Sequence, residues 1–146
     1  MIEIRRLRRE ELNGFLPLVW DVFCNFEAKD YPDDGKKAFF DAIHSVKYLD
    51  SLTAFGAFDG EKPVGIIASR NEGRHIALFF VDGNYHKRGI GRALFDALST
   101  ESDADIITVH SSLYAEQVYI KLGFIPTDGV CTDGGIRYIP MINGVK

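Results

Sequence analysis

The sequence predicts an α+β fold in which a mixed, mostly antiparallel central sheet carries helices on both faces. Three observations support this class: an amphipathic helical pattern near the N-terminus, short β-type segments in the middle of the chain, and a strand–helix–strand–helix succession after them. The chain has 146 residues, which is the usual length of one domain. We therefore expect residues 1–146 to form a single domain.

The N-terminal third is predicted to contain one strand and two helices. Residues 2–7 have the pattern of a short strand. From Leu12 the apolar residues recur at the spacing of one helix face, and Pro17 either sets the start of this helix near Phe15 or kinks it. Residues 33–46 predict a second helix. Its inward residues are predicted to be Phe39, Ala42, Ile43 and Val46.

The middle of the chain predicts three consecutive antiparallel strands, over residues 52–58, 64–69 and 75–81. The first two are separated by a segment that begins with Asp59-Gly60, a dipeptide that supplies the positive φ of a tight hairpin turn. The segment Asn71-Glu72-Gly73 indicates the second turn.

The remainder predicts a helix over residues 89–100, a strand over 106–109, a short helix that ends at Gly123, and two closing strands. The short helix is predicted to face inward with Ala115, Val118, Tyr119 and Leu122. The closing strands, residues 124–126 and 136–142, flank a glycine-rich turn at 132–135. The predicted order is strand, two helices, three strands, helix, strand, helix and two strands.

Composition and charge argue against several classes of function. Seventeen Lys and Arg against 21 Asp and Glu give a net charge of −4, which disfavours a dedicated nucleic-acid binder. Cys24 and Cys131 have no zinc-ligand or disulfide-scaffold spacing, so we expect reduced thiols and no metal. No apolar run is long enough for a membrane span, and no signal peptide is visible. We expect a cytoplasmic protein with no nucleic-acid or membrane partner, and a homodimer is an open possibility.

The sequence HKRGIGRAL, residues 86–94, lies between a predicted strand and a predicted helix and indicates an anion site. Gly89 and Gly91 let the backbone approach a bulky anion, and the first-turn N–H groups of the helix point outward with the positive end of its dipole. Basic side chains are added by His86, Lys87, Arg88 and Arg92. Neither the P-loop string nor GxGxxG is present, whereas a simple glycine-rich turn stays open as an alternative.

Residues 79–98 and 106–126 resemble motifs A and B of the GCN5-related N-acetyltransferase (GNAT) superfamily. Motif A has Gln or Arg, two residues, Gly, any residue, and Gly or Ala, and His86 takes the first position here. Residues 111–124, SSLYAEQVYIKLGF, are similar to the second motif, with its Tyr-x-Lys-x-Gly-Phe element. The resemblance implies a GNAT-like sheet and a metal-free transferase that takes acetyl-CoA in a V-shaped cleft between the fourth and fifth strands.

The same resemblance implies which residues bind the cosubstrate. Backbone groups of Phe80 and Val81 would contact the pantetheine arm, and the main chain around Ile90 would hold the pyrophosphate. The full set of expected acetyl-CoA contacts is Phe80, Val81, His86, Lys87, Arg88, Gly89, Ile90, Gly91, Arg92, Ser112, Ala115 and Tyr119.

The catalytic expectations concern one acid and one base. Tyr119 matches the family's acid, which protonates the leaving thiolate, although a core aromatic role stays open. A lysine-type amine has a pKa near 10.4, so a base or a water chain must free it. Glu27, His75 and His110 are the candidate bases, with a solvated charge, a structural histidine and water alone as the alternatives. Relatives often have Asn at the position of His110, which weakens that candidate.

The leading hypothesis is an acetyl-CoA-dependent N-acetyltransferase that acts on a primary amine of a small molecule or peptide, by direct attack in a ternary complex. The acidic and aromatic residues of segment 21–34 favour a cationic acceptor, although the alternative of exposed acids and core aromatics stays open. A second hypothesis is a non-catalytic acyl-CoA-binding sensor or partner-binding module of the same fold. A nucleotide-binding α/β domain is a third, which the missing P-loop disfavours.

Overall fold

A computed structural model of the protein describes residues 1–144. Its strands are β1 (Ile2–Arg6), β2 (Thr53–Asp59), β3 (Lys62–Arg70), β4 (His75–Val81), β5 (Ile106–Ser111), β6 (Ile125–Pro126), β7 (Cys131–Asp133) and β8 (Ile136–Gly144). Its α-helices are α1 (Leu16–Val22), α2 (Asp33–Ile43), α3 (Val46–Asp50), α4 (Ile90–Glu101) and α5 (Glu116–Lys121). The predicted α+β class is confirmed.

The strands form one mixed sheet in the order β1-β2-β3-β4-β5-β8-β6, with β7 paired to β8. In the described chain, every paired neighbour is antiparallel except β4 and β5, which are parallel. These two strands pair only through His75 with Thr108 and Ile76 with Val109. Ala77 is an extra residue on β4, because Ile76 pairs with Ser69 and Leu78 pairs with the neighbouring Ala68. The bulge and the short ladder leave β4 and β5 apart beyond Val109.

Helices cover both faces of the sheet, as predicted. Consecutive residues of β3 alternate between the faces: Ile66 packs with α1 and α2, and Ile67 packs with α4 and α5. Both side chains are at most 1% exposed. Burial of such apolar side chains on each face is the dominant force that holds the helices to the sheet.

The segment after β1 is not the single α-helix that its apolar spacing predicts. A 3-10 helix over Arg9–Phe15 leads into α1, and a π-helical turn over Phe23–Glu27 follows. Pro17 lies in the first turn of α1, where its missing N–H has no helical partner to lose. The structure therefore favours the start near Phe15 over a kink. The π-turn adds one residue to the helical turn, and Glu27 is its last residue. Such turns are frequent at functional sites.

Four other predictions about local structure are wrong. The helix predicted over residues 33–46 ends at Ile43, because the Ser45 hydroxyl accepts a hydrogen bond from the Tyr48 N–H and starts the separate α3. Val46, predicted to face inward, is 67% exposed, and Val118 is 46% exposed. Strand β7 occupies part of the predicted turn at 132–135.

Across the described residues, no helix is both long and apolar enough to cross a bilayer.

Candidate active site

A cavity of about 80 Å³ lies at the point where β4 and β5 separate. It is lined by Phe23, Glu27, Tyr31, Phe39, Ile76, Ala77, Phe79, Phe80, Val109, His110, Ser112, Ala115 and Tyr119. The structure therefore brings together six of the predicted site residues, from the π-turn, β4, β5, the loop after β5 and α5. These six are Glu27, Phe80, His110, Ser112, Ala115 and Tyr119.

A larger and more open depression, of about 660 Å³, lies beside the end of β1. Two of its arginines are already ion-paired, Arg6 with Glu101 and Arg9 with Asp50. None of the predicted site residues lines it. We therefore place the candidate site in the smaller cavity, where the titratable groups and the strand opening coincide.

Glu27 presents a carboxyl group whose pKa suits proton transfer near neutral pH. Burial raises the pKa of Glu27 to about 7, the nearby charge of Asp30 raises it further, and a hydrogen bond with Ser112 opposes both effects. A side chain with this pKa is ionised in a large fraction of molecules at pH 7. It can therefore accept a proton, which a solvated glutamate does far less effectively.

Tyr119 is a buried phenol on α5, with 6% of its surface exposed. Its ring makes edge contacts with Phe79 and Phe124, at centroid distances of 5.7 and 5.3 Å. Burial raises the pKa of Tyr119 far above its ordinary value, and the charge of Glu27 raises it further. The hydroxyl group is therefore protonated at neutral pH and available as a donor. The Ser112 Oγ accepts a hydrogen bond from the N–H of Ala115, the N-cap of α5, at 3.1 Å and so stabilises the start of this helix.

His75, another of the predicted bases, is placed outside the lining of the cavity. Its Nδ1 is 2.7 Å from the Thr108 hydroxyl, and burial lowers its pKa to about 4, with Arg70 and His110 contributing. His110 does line the cavity and is stacked on Tyr138 at 4.5 Å. The structure thus brings His110, rather than His75, to the group that contains Glu27.

The segment before α4 exposes a row of main-chain donors. Gly89 is the N-cap of α4 with φ of +80°, and a Cβ built on it would meet nothing within 4 Å. The first helical hydrogen bond of α4 is donated by the Ala93 N–H to the Gly89 carbonyl at 3.0 Å. Within residues 1–144, the main-chain N–H groups of residues 87–92 donate to no protein acceptor. Such a cradle, with open space above it, fits a diphosphate.

Three of the four basic side chains of this segment make contacts within the protein. His86 Nε2 lies 2.8 Å from the Val81 carbonyl, and Arg92 donates to the Lys121 carbonyl at 2.6 Å. The Arg88 guanidinium lies over the Tyr85 ring at 4.9 Å. The main chain, more than these side chains, therefore forms the open part of the anion site.

The acids of segment 21–34 do not form one cationic-acceptor surface. Asp21, Asp33 and Asp34 are exposed, and only Glu27 lines the cavity. Asp30 is buried and accepts a hydrogen bond from the Arg137 guanidinium at 2.8 Å.

Several site features have no local signal in the sequence. The Asp30–Arg137 pair joins residues 107 positions apart, and the aromatic walls come from distant elements. The described residues contain no group of three or more His, Cys, Asp or Glu side chains placed to hold a metal ion.

Comparisons with known proteins match this geometry. The sequence profile of the Acetyltransferase (GNAT) domain matches residues 27–143. A GCN5-related N-acetyltransferase from Rhodopseudomonas palustris has a similar structure, with a TM-score of 0.81, 20% identity, and coverage of 97% of this chain and 94% of that one. The PaiA N-acetyltransferase from Thermoplasma acidophilum, in complex with coenzyme A, has a TM-score of 0.71, 18% identity and coverage of 99% of both chains.

A further structural neighbour is an aminoglycoside 6'-N-acetyltransferase complexed with coenzyme A, with a TM-score of 0.68, 15% identity, and coverage of 99% of this chain and 97% of that one. Comparison with curated protein sequences gives no match. The structural neighbours show the fold, and the profile covers most of the sequence. The resemblance seen in the two motifs is thereby confirmed, and the chain belongs to the GNAT acetyltransferase family.

Proposed function

We propose that the chain is an acetyl-CoA-dependent N-acetyltransferase that transfers the acetyl group directly to a primary amine in a ternary complex. One observation carries the proposal: a carboxyl group with a pKa of about 7, Glu27, and a protonated phenol, Tyr119, line the same cavity. The complexes of PaiA and of the aminoglycoside acetyltransferase with coenzyme A support the choice of cosubstrate.

The residues around the cleft fit coenzyme A. The amides of residues 88–92 would hold the diphosphate, because they lack protein acceptors and border open space. The edge of β4 at Phe80 and Val81, which β5 does not pair, would bind the pantetheine arm through main-chain groups. Ser112 and Ala115 would border the acyl end. When bound, acetyl-CoA supplies the thioester whose acetyl group is transferred.

Glu27 is proposed as the general base. A free primary amine with a pKa near 10.4 is almost fully protonated at pH 7, and removing that proton costs about 4 to 5 kcal/mol. Burial of the amine in the cavity lowers its pKa and reduces this cost. The Glu27 carboxylate then accepts the proton as the new carbon–nitrogen bond forms, and the interaction with Ser112 favours the ionised form of the carboxylate. His75 is not needed in this scheme, because Thr108 already engages its ring.

Tyr119 is proposed as the group that assists the leaving sulfur. Its hydroxyl remains protonated because burial disfavours the phenolate. As the carbon–sulfur bond breaks, the hydroxyl donates to the sulfur and stabilises the charge that develops there. Glu27 therefore assists the attacking amine, and Tyr119 assists the leaving thiolate, in the same displacement reaction.

A thiol-release assay with acetyl-CoA and a panel of primary amines tests this proposal. We expect turnover by the wild type and a loss of about 10²-fold or more for Tyr119→Phe, with coenzyme A affinity by calorimetry reduced far less than the rate. The matched control is Tyr114→Phe, which removes an exposed hydroxyl from the same region. If the wild type binds coenzyme A but releases no thiol with any amine, the sensor hypothesis replaces the enzyme.

A further inference from the structure

The cavity offers an amine acceptor only one negatively charged side chain. Among the described residues that line it, Glu27 is the one carboxylate, and no Lys or Arg is present. Asp30 does not line the cavity and is paired with Arg137 at 2.8 Å, so its charge acts on the cavity only from behind the wall, where it raises the pKa of Glu27. One ammonium group can therefore be matched by a carboxylate in this cavity, and a second one cannot.

The remaining polar groups of the wall are neutral. Burial raises the pKa of Tyr31 to about 12, which keeps its hydroxyl protonated. Burial, with the charge of Arg70, lowers the pKa of His110, which favours the uncharged ring, and the charge of Asp133 opposes this shift. Neither residue can neutralise a charged substituent of the acceptor, so a second charge held against this wall would lose its water without gaining a partner.

Most of the remaining wall is apolar, and its aromatic rings pack on one another. Phe23 stacks on Phe39 at 4.4 Å and meets Tyr31 edge-on at 4.8 Å, and Phe39 contacts Phe80 at 6.0 Å. Each ring fixes its neighbour, so the wall presents a stiff apolar surface. An alkyl chain gains burial against such a surface, whereas a hydroxylated or charged chain loses hydration.

The size of the cavity limits the width of the acceptor. Its volume of about 80 Å³ is about half of the roughly 150 Å³ of an apolar cavity that binds benzene, so it admits the amine end of an unbranched chain and not a ring. The acetyl group must share this space with the amine. A branched or polycyclic body next to the amine would clash with the stacked rings.

These observations point to one class of substrate. We infer that the acceptor is an unbranched primary monoamine with an apolar body, which carries neither a carboxylate nor a second ammonium group near its amine. The inference rests on the proposed function and adds to it the chemistry of the acceptor. It narrows the expectation of a cationic acceptor, because among the acids of segment 21–34 only Glu27 lines the cavity.

Three amines of similar length test the inference. Pentylamine and 1,4-diaminobutane have the same number of heavy atoms and differ by one terminal ammonium, and 4-aminobutanoate ends in a carboxylate instead. With acetyl-CoA and wild-type protein, we expect kcat/KM for pentylamine to exceed that of each charged amine by about tenfold or more. In the presence of coenzyme A, pentylamine should also raise the unfolding temperature more than 1,4-diaminobutane does at equal concentration.

A variant tests the physical reason for this preference. Ala77 lines the cavity at the bulge of β4, so Ala77→Asp adds a second carboxylate to the wall. The ratio of kcat/KM for pentylamine over 1,4-diaminobutane should fall by about tenfold in this variant. Ala77→Ser, a neutral control, should keep the ratio of the wild type.

The outcomes separate the two proposals. Equal or better use of 1,4-diaminobutane by the wild type would overturn the inference and leave the acetyltransferase proposal standing. A lack of thiol release with pentylamine alone would also overturn the inference. A lack of thiol release with every amine would overturn the proposed function as well. The ratio measured on the wild type decides the matter even if Ala77→Asp does not fold.

Discussion

Replacement of Glu27 with glutamine should make the protein more stable above neutral pH while it removes most of the activity. Glutamine keeps the shape and the hydrogen-bonding capacity of the side chain, but it cannot ionise. The folded protein disfavours the ionised carboxylate, because burial raises the pKa of Glu27 to about 7 from an ordinary value of 4.5. The substitution therefore removes a buried charge that function requires and stability does not.

The expected magnitude follows from the two pKa values. Their difference is about 2.5 units, and each unit corresponds to about 1.4 kcal/mol, which gives about 3 kcal/mol. Between pH 4.5 and pH 7 the folded state binds more protons at Glu27 than the unfolded state does, so this residue lowers stability as pH rises. The destabilisation is absent below about pH 4.5 and complete above about pH 7.

Urea and thermal unfolding at pH 4.5 and pH 8 measure this effect. We expect Glu27→Gln to match the wild type at pH 4.5 and to exceed its free energy of unfolding by about 3 kcal/mol at pH 8. That difference corresponds to a rise in melting temperature of about 10 °C. Glu61→Gln, which removes an exposed carboxylate from the turn between β2 and β3, controls for the change in net charge.

Activity provides the second half of the test. The kcat/KM of the wild type should rise with pH through an apparent pKa of about 7, and Glu27→Gln should lack this dependence and lose about 10²-fold or more in rate. Equal stability gains at both pH values would refute the buried-charge argument. Full activity in Glu27→Gln would refute the assignment of Glu27 as the base.

Three further changes probe the loop, the buried ion pair and the packing. Gly89→Ala puts a side chain at φ of +80° and into the open space above the loop. Calorimetry should therefore show coenzyme A affinity reduced about tenfold, whereas Gly14→Ala should leave the affinity unchanged. Arg137→Ala leaves the Asp30 carboxylate buried without its partner and should cost about 2 kcal/mol in urea unfolding, most of which a second change, Asp30→Asn, should restore. Gly56→Ala would place a Cβ 2.7 Å from a core aromatic ring and should lower stability by about 1 to 3 kcal/mol, which thermal unfolding can check.

Much of the fold can be predicted from the sequence because local pattern and burial agree. Strand β4 occupies residues 75–81 as predicted, since a run of mostly apolar residues lies between two turn-forming segments. The helix α4 follows its apolar face to within a residue at each end. The short helix α3 was missed because its five residues offer too little periodicity, and the Ser45 cap was the one available signal.

The candidate site is only partly predictable. The anion site at residues 86–94 and the second motif around Tyr119 are each contiguous in the sequence, so their residues and spacing are visible there. The raised pKa of Glu27 depends on a π-turn and on Ser112 from a distant loop, which no local pattern reports. His75 and His110 are both on paired strands, and only the register of β4 against β5 decides which of them reaches the cavity.

The crystal structure of the protein with coenzyme A bound would test the central claim most directly. The account predicts the diphosphate on the main-chain amides of residues 88–92, with the thiol sulfur within hydrogen-bonding reach of the Tyr119 hydroxyl and the space beside Glu27 left for the amine. Coenzyme A bound away from this loop, or a sulfur directed away from Tyr119, would contradict it.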